Sequence, residues 1–490
     1  MTLPRSLWIN GQWLRGHGEE MRSVNPLDER LLWHGRAADV QQVGEAVSAA
    51  VNAFPGWAAQ PDSQRAACLL RFRDQLAQHR TLLADTIAQE TGKPLWESDS
   101  EVASMIAKAE LSLQAAEARC GEHSMPLGEA QSVLRHQPHG VLAVFGPYNF
   151  PGHLPNGHIM PALLAGNTLV FKPSELTPRT AELMIHLWQN AELPDGVLNL
   201  VQGGRDTGAA LADEPRLNGL LFTGSASSGC YLHRQFGGRP EKILALEMGG
   251  NNPLYVEQCA DTRAAVHHTL LSAYLSAGQR CSCARRLLVI QGSWGDRFIE
   301  ALRQAIRRLE VGPYDSQPQP FMGSLICREA AERILAAQQQ LQQLGGELLE
   351  PAEFVDSYPA MLRPGLLDMT SVADRPDEEY FGPLLQLIRV DNLEQAIAEA
   401  NDTAYGLSAG ILSEDPHHYQ HFRQQVRAGL INWNRPLTGA ASSRPFGGIG
   451  ISGNHRPSAW YAADYCAYPV ASLECESARL PEQLSPGLHL

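Results

Sequence analysis

No uninterrupted apolar run in these 490 residues approaches the roughly 20 residues that a membrane-spanning helix needs. The opening stretch, MTLPRSLWINGQWL, lacks the basic segment and the apolar run of about 7–15 residues that a secretory signal carries. Blocks of like charge are missing as well. The formal net charge of -14 repels polyanions, so neither nucleic acid nor an anionic membrane is an expected partner. The nine cysteines are scattered, odd in number and mostly in apolar company, which argues against a disulfide framework and for a reducing compartment. Cys281 and Cys283 stand two apart with no second pair and no histidine at ligand spacing, so no metal site is expected. These absences leave a cytoplasmic globular protein. Its length exceeds what one hydrophobic core usually organises, so two packed domains are expected, with a small third element.

What is present is alternation. From about Val141 to Gly250 short β-rich runs (VLAVF, TLVFKPSE, VLNLVQGG, GLLFTG, KILALEMGG) alternate with helix-like segments (NGHIMPALLAG, TAELMIHLWQNA). Continuous apolar strands separated by amphipathic helices read as βαβ units around a parallel sheet covered on both faces. Before them, Val43 to Ala118 is mostly helical by pattern, with a break at ETGKP, Glu90 to Pro94. After Gly250 a second set of strands, including RRLLVI and LLQLIRV, and a helix RILAAQQQLQQLGG closed by glycines predict a second α/β unit. SVLRHQPHG and YCAYPVA are strand-like pieces that fit neither unit and are expected in a projecting or subunit-bridging element.

Three motifs carry chemistry, and each taken singly also fits a purely structural role. FTGSASSG, Phe222 to Gly229, ends a strand and opens a helix, so its N–H groups are placed to face a phosphate. It is neither a P-loop, since no GK[ST] follows, nor the GxGxxG fingerprint. In GQRCSC, Cys281 follows Arg280, whose charge is expected to lower the thiol pKa. In LEMGG, Glu247 ends an apolar strand, where burial raises a carboxylate toward general-base use.

Taken with YNFP (Tyr148 to Pro151), KPSE (Lys172 to Glu175), EEYFGP (Glu378 to Pro383) and PFGG (Pro445 to Gly448), these motifs occur in an order and approximate spacing that resembles the aldehyde dehydrogenase superfamily over nearly the whole chain. The resemblance implies an α/β fold with a Rossmann-like cofactor domain (1–118 and 138–248), an α/β catalytic domain (249–450) and an oligomerisation element (119–137 and 460–478). It implies Cys281 as nucleophile, Glu247 as base for water, and the Asn149 amide with the Cys281 N–H as oxyanion donors. It further implies NAD as cofactor, with Lys172 and Glu175 at the adenosine ribose, Gly224, Ser225, Ala226, Ser227, Ser228 and Gly229 at the pyrophosphate, and Glu379 and Phe381 at the nicotinamide. A carboxylate beside the ribose 2′-hydroxyl repels a 2′-phosphate, so Glu175 favours NAD over NADP.

After PFGG the common family pattern ends SGxGRExG, whereas this chain reads PFGGIGISGNHRPSAWYAADYCAYPVAS. That departure resembles a branch of the family that acts, in arginine catabolism, on a semialdehyde bearing two remote carboxylates. An acidic protein must then concentrate positive charge locally, and Arg280, Arg435, Arg444, His455 and Arg456 are the candidates. A homo-oligomer, dimer or dimer of dimers, is expected. The competing readings are another short semialdehyde such as succinate semialdehyde, a coenzyme-A-dependent acylating enzyme, and a non-catalytic binding protein on the same fold. Glu247 disfavours the second, and Cys281, Glu247 and Asn149 together disfavour the third.

Overall fold

Val141–Phe145 is buried at all its positions, and its side chains divide by period two: Val141, Ala143 and Phe145 enter one core, Leu142 and Val144 another. This computed structural model describes residues 5–481 and 483–490. The strand is central to a seven-stranded sheet ordered Ile243–Met248, Gly219–Gly224, Val141–Phe145, Thr168–Lys172, Leu198–Leu200, Leu7–Ile9, Gln12–Leu14. The first five run parallel, and the last two add an antiparallel margin. On one face Trp57, Phe72, Met105, Phe171 and Trp188 pack with the helices Asp62–Gln78, Leu95–Cys120, His153–Leu164 and Pro178–Asn190. On the other, Val43, Val47, Leu220 and Leu232 close the core beneath the helix Val40–Ala58, which an Asp39–Gln42 capping box begins. The ETGKP break lies where it was expected: Arg80–Thr91 ends on Gly92 at φ +75°, and Leu95–Cys120 follows Pro94.

The chain passes from the first sheet to a second within Met248–Asn252. The second sheet is ordered Glu347–Glu350, Gly365–Asp368, Leu384–Val390, Ala284–Ile290, Asn252–Val256, Ser408–Leu412, Leu430–Trp433, parallel except for its first pair. One continuous core fills it, from Tyr255 and Tyr274 to Phe298 and Phe422. The two strand-like orphans of the sequence pair with each other: Ala467–Glu474 lies antiparallel to Ala130–Pro138, which pairs with His123–Leu127. This three-stranded sheet leaves Met125, Leu127 and Leu473 more than half exposed. Among the described residues no helix is long and apolar enough to cross a membrane, and no group of side chains is arranged to hold a metal ion.

Candidate active site

The crossing between the sheets is where the chemistry-bearing motifs meet. Glu247 lies near the end of the last strand of the first sheet, and Cys281 lies in the loop that enters the strand Ala284–Ile290 of the second. That loop is held in an uncommon conformation. Ser276, Ala277 and Gly278 are consecutively left-handed, at φ 56°, 53° and 69°, which costs about 1 kcal/mol or more at each non-glycine position. Gly278 is obligatory, since a Cβ there would stand 2.1 Å from the Gly382 carbonyl.

Several contacts hold this conformation. Fully buried Arg285 donates to the carbonyls of Gly278 at 2.7 Å, Arg280 at 3.0 Å and Gly382 at 3.3 Å. The Asn252 amide donates to the Cys281 and Cys283 carbonyls at 2.7 and 2.9 Å. The Gln279 side chain accepts the Ile326 N–H at 3.1 Å. Neither Arg285 nor Asn252 was singled out from the sequence, although two arginines inside the otherwise apolar strand run ARRLLVI are a readable signal: buried charge in a strand must have a task.

Cys281 is partly exposed while Cys283 is fully buried. The Cys281 thiol lies near the Glu247 carboxyl, which is 1% exposed and whose Oε1 has no hydrogen-bond partner among the described residues. Burial, then the neighbouring Glu379 charge, raises Glu247 to about 8, and the nearby Cys281 thiol opposes the rise. Burial, followed by the charges of Glu247 and Glu379, holds the Cys281 thiol well above its ordinary value. This corrects the expectation placed on Arg280. Its guanidinium is turned away to Glu97 Oε1 at 2.5 Å and Ser276 Oγ at 2.8 Å, against the Phe150 ring at 4.9 Å. Its charge is spent on a buried carboxylate rather than on the thiol.

The Asn149 side chain is buried and donates to the Gln279 carbonyl at 2.9 Å, two residues before Cys281. Glu379 is largely buried, with 11% of its side chain exposed. Its carboxylate rests on Gly249, where a Cβ would come within 1.6 Å of Oε2, and it accepts the Gly250 N–H at 3.2 Å beside Arg285 at 3.7 Å. Burial raises it to about 7 against the opposing pull of Arg285. Phe381 meets Tyr148 edge-on at 6.1 Å, under the Arg285 guanidinium at 5.4 Å.

At the carboxyl edge of the first sheet, on the strand Thr168–Lys172, Lys172 Nζ is clamped between the carbonyls of Pro173 (2.9 Å) and Gly203 (2.8 Å), 3.8 Å from the exposed carboxylate of Glu175. Burial lowers the Lys172 pKa. Gly224 ends its strand, and Ser225 caps the helix Ala226–Phe236 by accepting the Ser228 N–H at 3.2 Å. Ser225, Ser227 and Ser228 are exposed, and the first-turn N–H groups of Ala226 and Ser227 have no helical partner. These donors fit the pyrophosphate of a dinucleotide. Gly229 is buried because a Cβ there would lie 2.0 Å from Met248 Sδ, so only glycine lets this helix approach the strand that carries Glu247.

The remaining cations are dispersed. Arg435 and Arg444 are exposed in the loop between Leu430–Trp433 and Pro445–Phe446, and among the described residues neither has an acidic partner. Exposed His455 is left-handed, and Arg456 donates to the Gly448 carbonyl at 2.8 Å. The residue beside them that sequence reasoning passed over is Asn454. It accepts the Leu246 N–H (2.7 Å), donates its own N–H to the Leu246 carbonyl (3.0 Å), and donates its amide to Leu244 (3.0 Å). Ser452 adds a bond to the Gly249 carbonyl at 2.7 Å. The GNH departure is thus a clasp on the free edge of the strand bearing Glu247.

Residues 13–469 match the model of the aldehyde dehydrogenase family. The chain is 58% identical to the N-succinylglutamate 5-semialdehyde dehydrogenase of Chromobacterium violaceum over 99% of this chain and 100% of that protein. It is 57% identical to the protein of the same name from Serratia proteamaculans, over 99% of each. Among solved structures, an E. coli NADP-dependent enzyme superposes with a TM-score of 0.90 at 30% identity, covering 96% of this chain and 98% of that one. Methylmalonate-semialdehyde dehydrogenase from Oceanimonas doudoroffii superposes at 0.92 and 26% identity, covering 98% and 99%. With a thiol and a buried carboxyl near each other at the junction of two α/β sheets, and with these relatives, the chain belongs to the aldehyde dehydrogenase family and is an aldehyde-oxidising oxidoreductase.

Proposed function

We propose that the chain oxidises N-succinyl-L-glutamate 5-semialdehyde to N-succinyl-L-glutamate, as the names of its relatives state for them, in arginine catabolism by the succinyltransferase route. The observation that carries this reading is the proximity of Cys281 and Glu247, in a chain that matches those relatives from end to end. Enzymes of the family use NAD(P). NAD is the proposed cofactor here, because the exposed Glu175 carboxylate beside Lys172 disfavours a 2′-phosphate. The first-turn N–H groups after Ser225 would hold the pyrophosphate, and Glu379 and Phe381 the nicotinamide end. In the same reading 1–118 and 138–248 form the cofactor domain, 249–450 the catalytic domain, and 119–137 with 460–478 the contact between copies of a cytoplasmic homo-oligomer.

Cys281 Sγ forms a bond to the aldehyde carbon as Glu247 takes the thiol proton, a transfer that suits a carboxylate raised to about 8. The second N–H of the Asn149 amide and the Cys281 N–H meet the negative charge on oxygen. The chemistry that bound NAD supplies is acceptance of hydride from that carbon. A thioester on Cys281 is left; Glu247, after releasing the thiol proton to solvent, removes a proton from the water that attacks it, which breaks the C–S bond and returns the thiol. The sum is aldehyde, NAD and water to carboxylate, NADH and two protons. Arg435, Arg444 and Arg456 are the proposed sources of positive charge for the substrate; His455 is withdrawn from that role, because partial burial lowers its pKa and leaves it neutral near pH 7. Arg280 is withdrawn from that set by its pairing with Glu97.

The test is initial-rate reduction of NAD and NADP with N-succinylglutamate semialdehyde, succinate semialdehyde and a neutral aldehyde. The dicarboxylated substrate with NAD should give the highest kcat/KM by at least tenfold. Preference for succinate semialdehyde would transfer the assignment to a short-semialdehyde dehydrogenase, and NADP use equal to NAD would remove the role given to Glu175.

A further inference from the structure

Along the helix Leu95–Cys120, Glu97, Glu101, Met105, Lys108 and Ser112 recur at three- and four-residue spacing, and all are buried. They form a polar stripe facing the segment that carries Asn149. The contact is close: a Cβ on Gly152 would stand 2.5 Å from Met105 Sδ and 3.4 Å from Glu101 Oε1. Within this interface Lys93 Nζ pairs with Glu101 at 2.5 Å and Arg280 pairs with Glu97. Glu101 Oε1 also accepts the N–H groups of Gly152 and His153 at 3.0 and 3.1 Å. Phe150 lies between the two cations, with Lys93 Nζ 3.9 Å and the Arg280 guanidinium 4.9 Å from its ring.

Both acids of this stripe are committed, and Lys108 is left over. It is 3% exposed, and among the described residues its ammonium group has neither an ion pair nor a hydrogen bond. His153, which feels the charges of Lys108, Lys93 and Arg280, likewise has a buried Nδ1 without a partner. A largely buried ammonium group without a protein partner is costly, and an anion that reached it would compensate it. His153, which feels the Lys108 charge, follows Asn149 by a few residues, so an anion at Lys108 would lie near the segment that carries Asn149.

We infer that Lys108, on the helix Leu95–Cys120 near His153, pairs with a carboxylate of the aldehyde substrate. This rests on the dicarboxylated-substrate reading above and adds to it the residue that recognises the acid. The exposed arginines Arg435 and Arg444 then serve approach more than selection, because charge pairing in solvent discriminates weakly. A desolvated pair discriminates strongly, since a substrate lacking the carboxylate leaves the ammonium group uncompensated.

Lys108→Met keeps the length of the side chain and removes the charge. Its kcat/KM for N-succinylglutamate semialdehyde should fall by about 30-fold or more relative to its kcat/KM for a neutral aldehyde, with the loss concentrated in KM. Its melting temperature should equal or exceed that of wild type. Binding without turnover is read by calorimetry in a Cys281→Ala background, with and without Lys108→Met, using N-succinylglutamate and N-acetylglutamate as probes. Equal weakening of both ligands places Lys108 on the glutamate moiety, and weakening of N-succinylglutamate alone assigns the succinyl carboxylate. No weakening of either, or a lower melting temperature with equal losses on charged and neutral aldehydes, overturns the inference and makes Lys108 structural. Failure of the substrate reading itself is separate, because wild type would then show no preference for the dicarboxylated aldehyde.

Discussion

Glu247 holds its proton more tightly in the fold than in an unfolded chain, about 8 against a normal carboxylate near 4.3. The stability this contributes is complete below the unfolded value and is lost as pH rises through the folded one. Glu247→Gln cannot ionise and escapes the loss. The variant should therefore melt above wild type at pH 9, by an amount on the order of 1 kcal/mol or more in stability, and converge with it near pH 5. In catalysis the sign reverses, because the base form is needed: thioester hydrolysis should rise with pH through about 8 in wild type. Glu247→Gln should release one NADH per site in a burst slower than that of wild type, because the thiol loses its proton acceptor, and then stall. Steady turnover at the wild-type rate would remove Glu247 as base. Cys281→Ala should abolish NAD reduction in a folded protein, whereas fully buried Cys283→Ala keeps most of it. Legibility at this scale depended on the reach of each contact. Cys281 and Glu247 were visible because their motifs are local. The real partner of Arg280 was not, because Glu97 lies on a helix 183 positions away and nothing in GQRCSC points to it.

At the scale of elements the sequence was more informative. Strands such as Val141–Phe145 and Leu384–Val390 declare themselves because cover on both faces demands continuous apolar runs. SVLRHQPHG and YCAYPVA were recognisable as strands without a sheet, and pairing between them supplied the missing partner. The Asn454 clasp left no such trace, since a single asparagine in a glycine-rich loop carries no period. Its consequence is measurable. Asn454→Ala strips the hydrogen bonds from Leu244 and Leu246 and should cost about 1–3 kcal/mol of stability. It should also loosen the strand that carries Glu247, so that hydrolysis of the thioester slows more than the NADH burst in stopped flow. A lower melting temperature with an unchanged ratio of burst to steady rate would limit the clasp to stability.

For the whole molecule, the three-stranded sheet presents Met125, Leu127 and Leu473 to solvent at 67%, 58% and 69% exposure, a liability unless a second copy covers it. The triple variant Met125→Glu, Leu127→Glu, Leu473→Glu should elute as a monomer in sedimentation or light scattering where wild type does not. Identical masses would move the contact elsewhere. The clasp has a further consequence, in time rather than in space. During translation the strand of Glu247 and the loop of Cys281 leave the ribosome long before Gly453 and Asn454, which close the edge of that strand. A nascent chain therefore carries a reactive thiol and its proton acceptor with no fixed geometry between them, and competence arrives only when nearly the whole polypeptide has been synthesised. Chains arrested before residue 450 should fold much of both sheets and bind dinucleotide yet fail to turn over aldehyde, so that premature release yields an inert product instead of an unregulated oxidant.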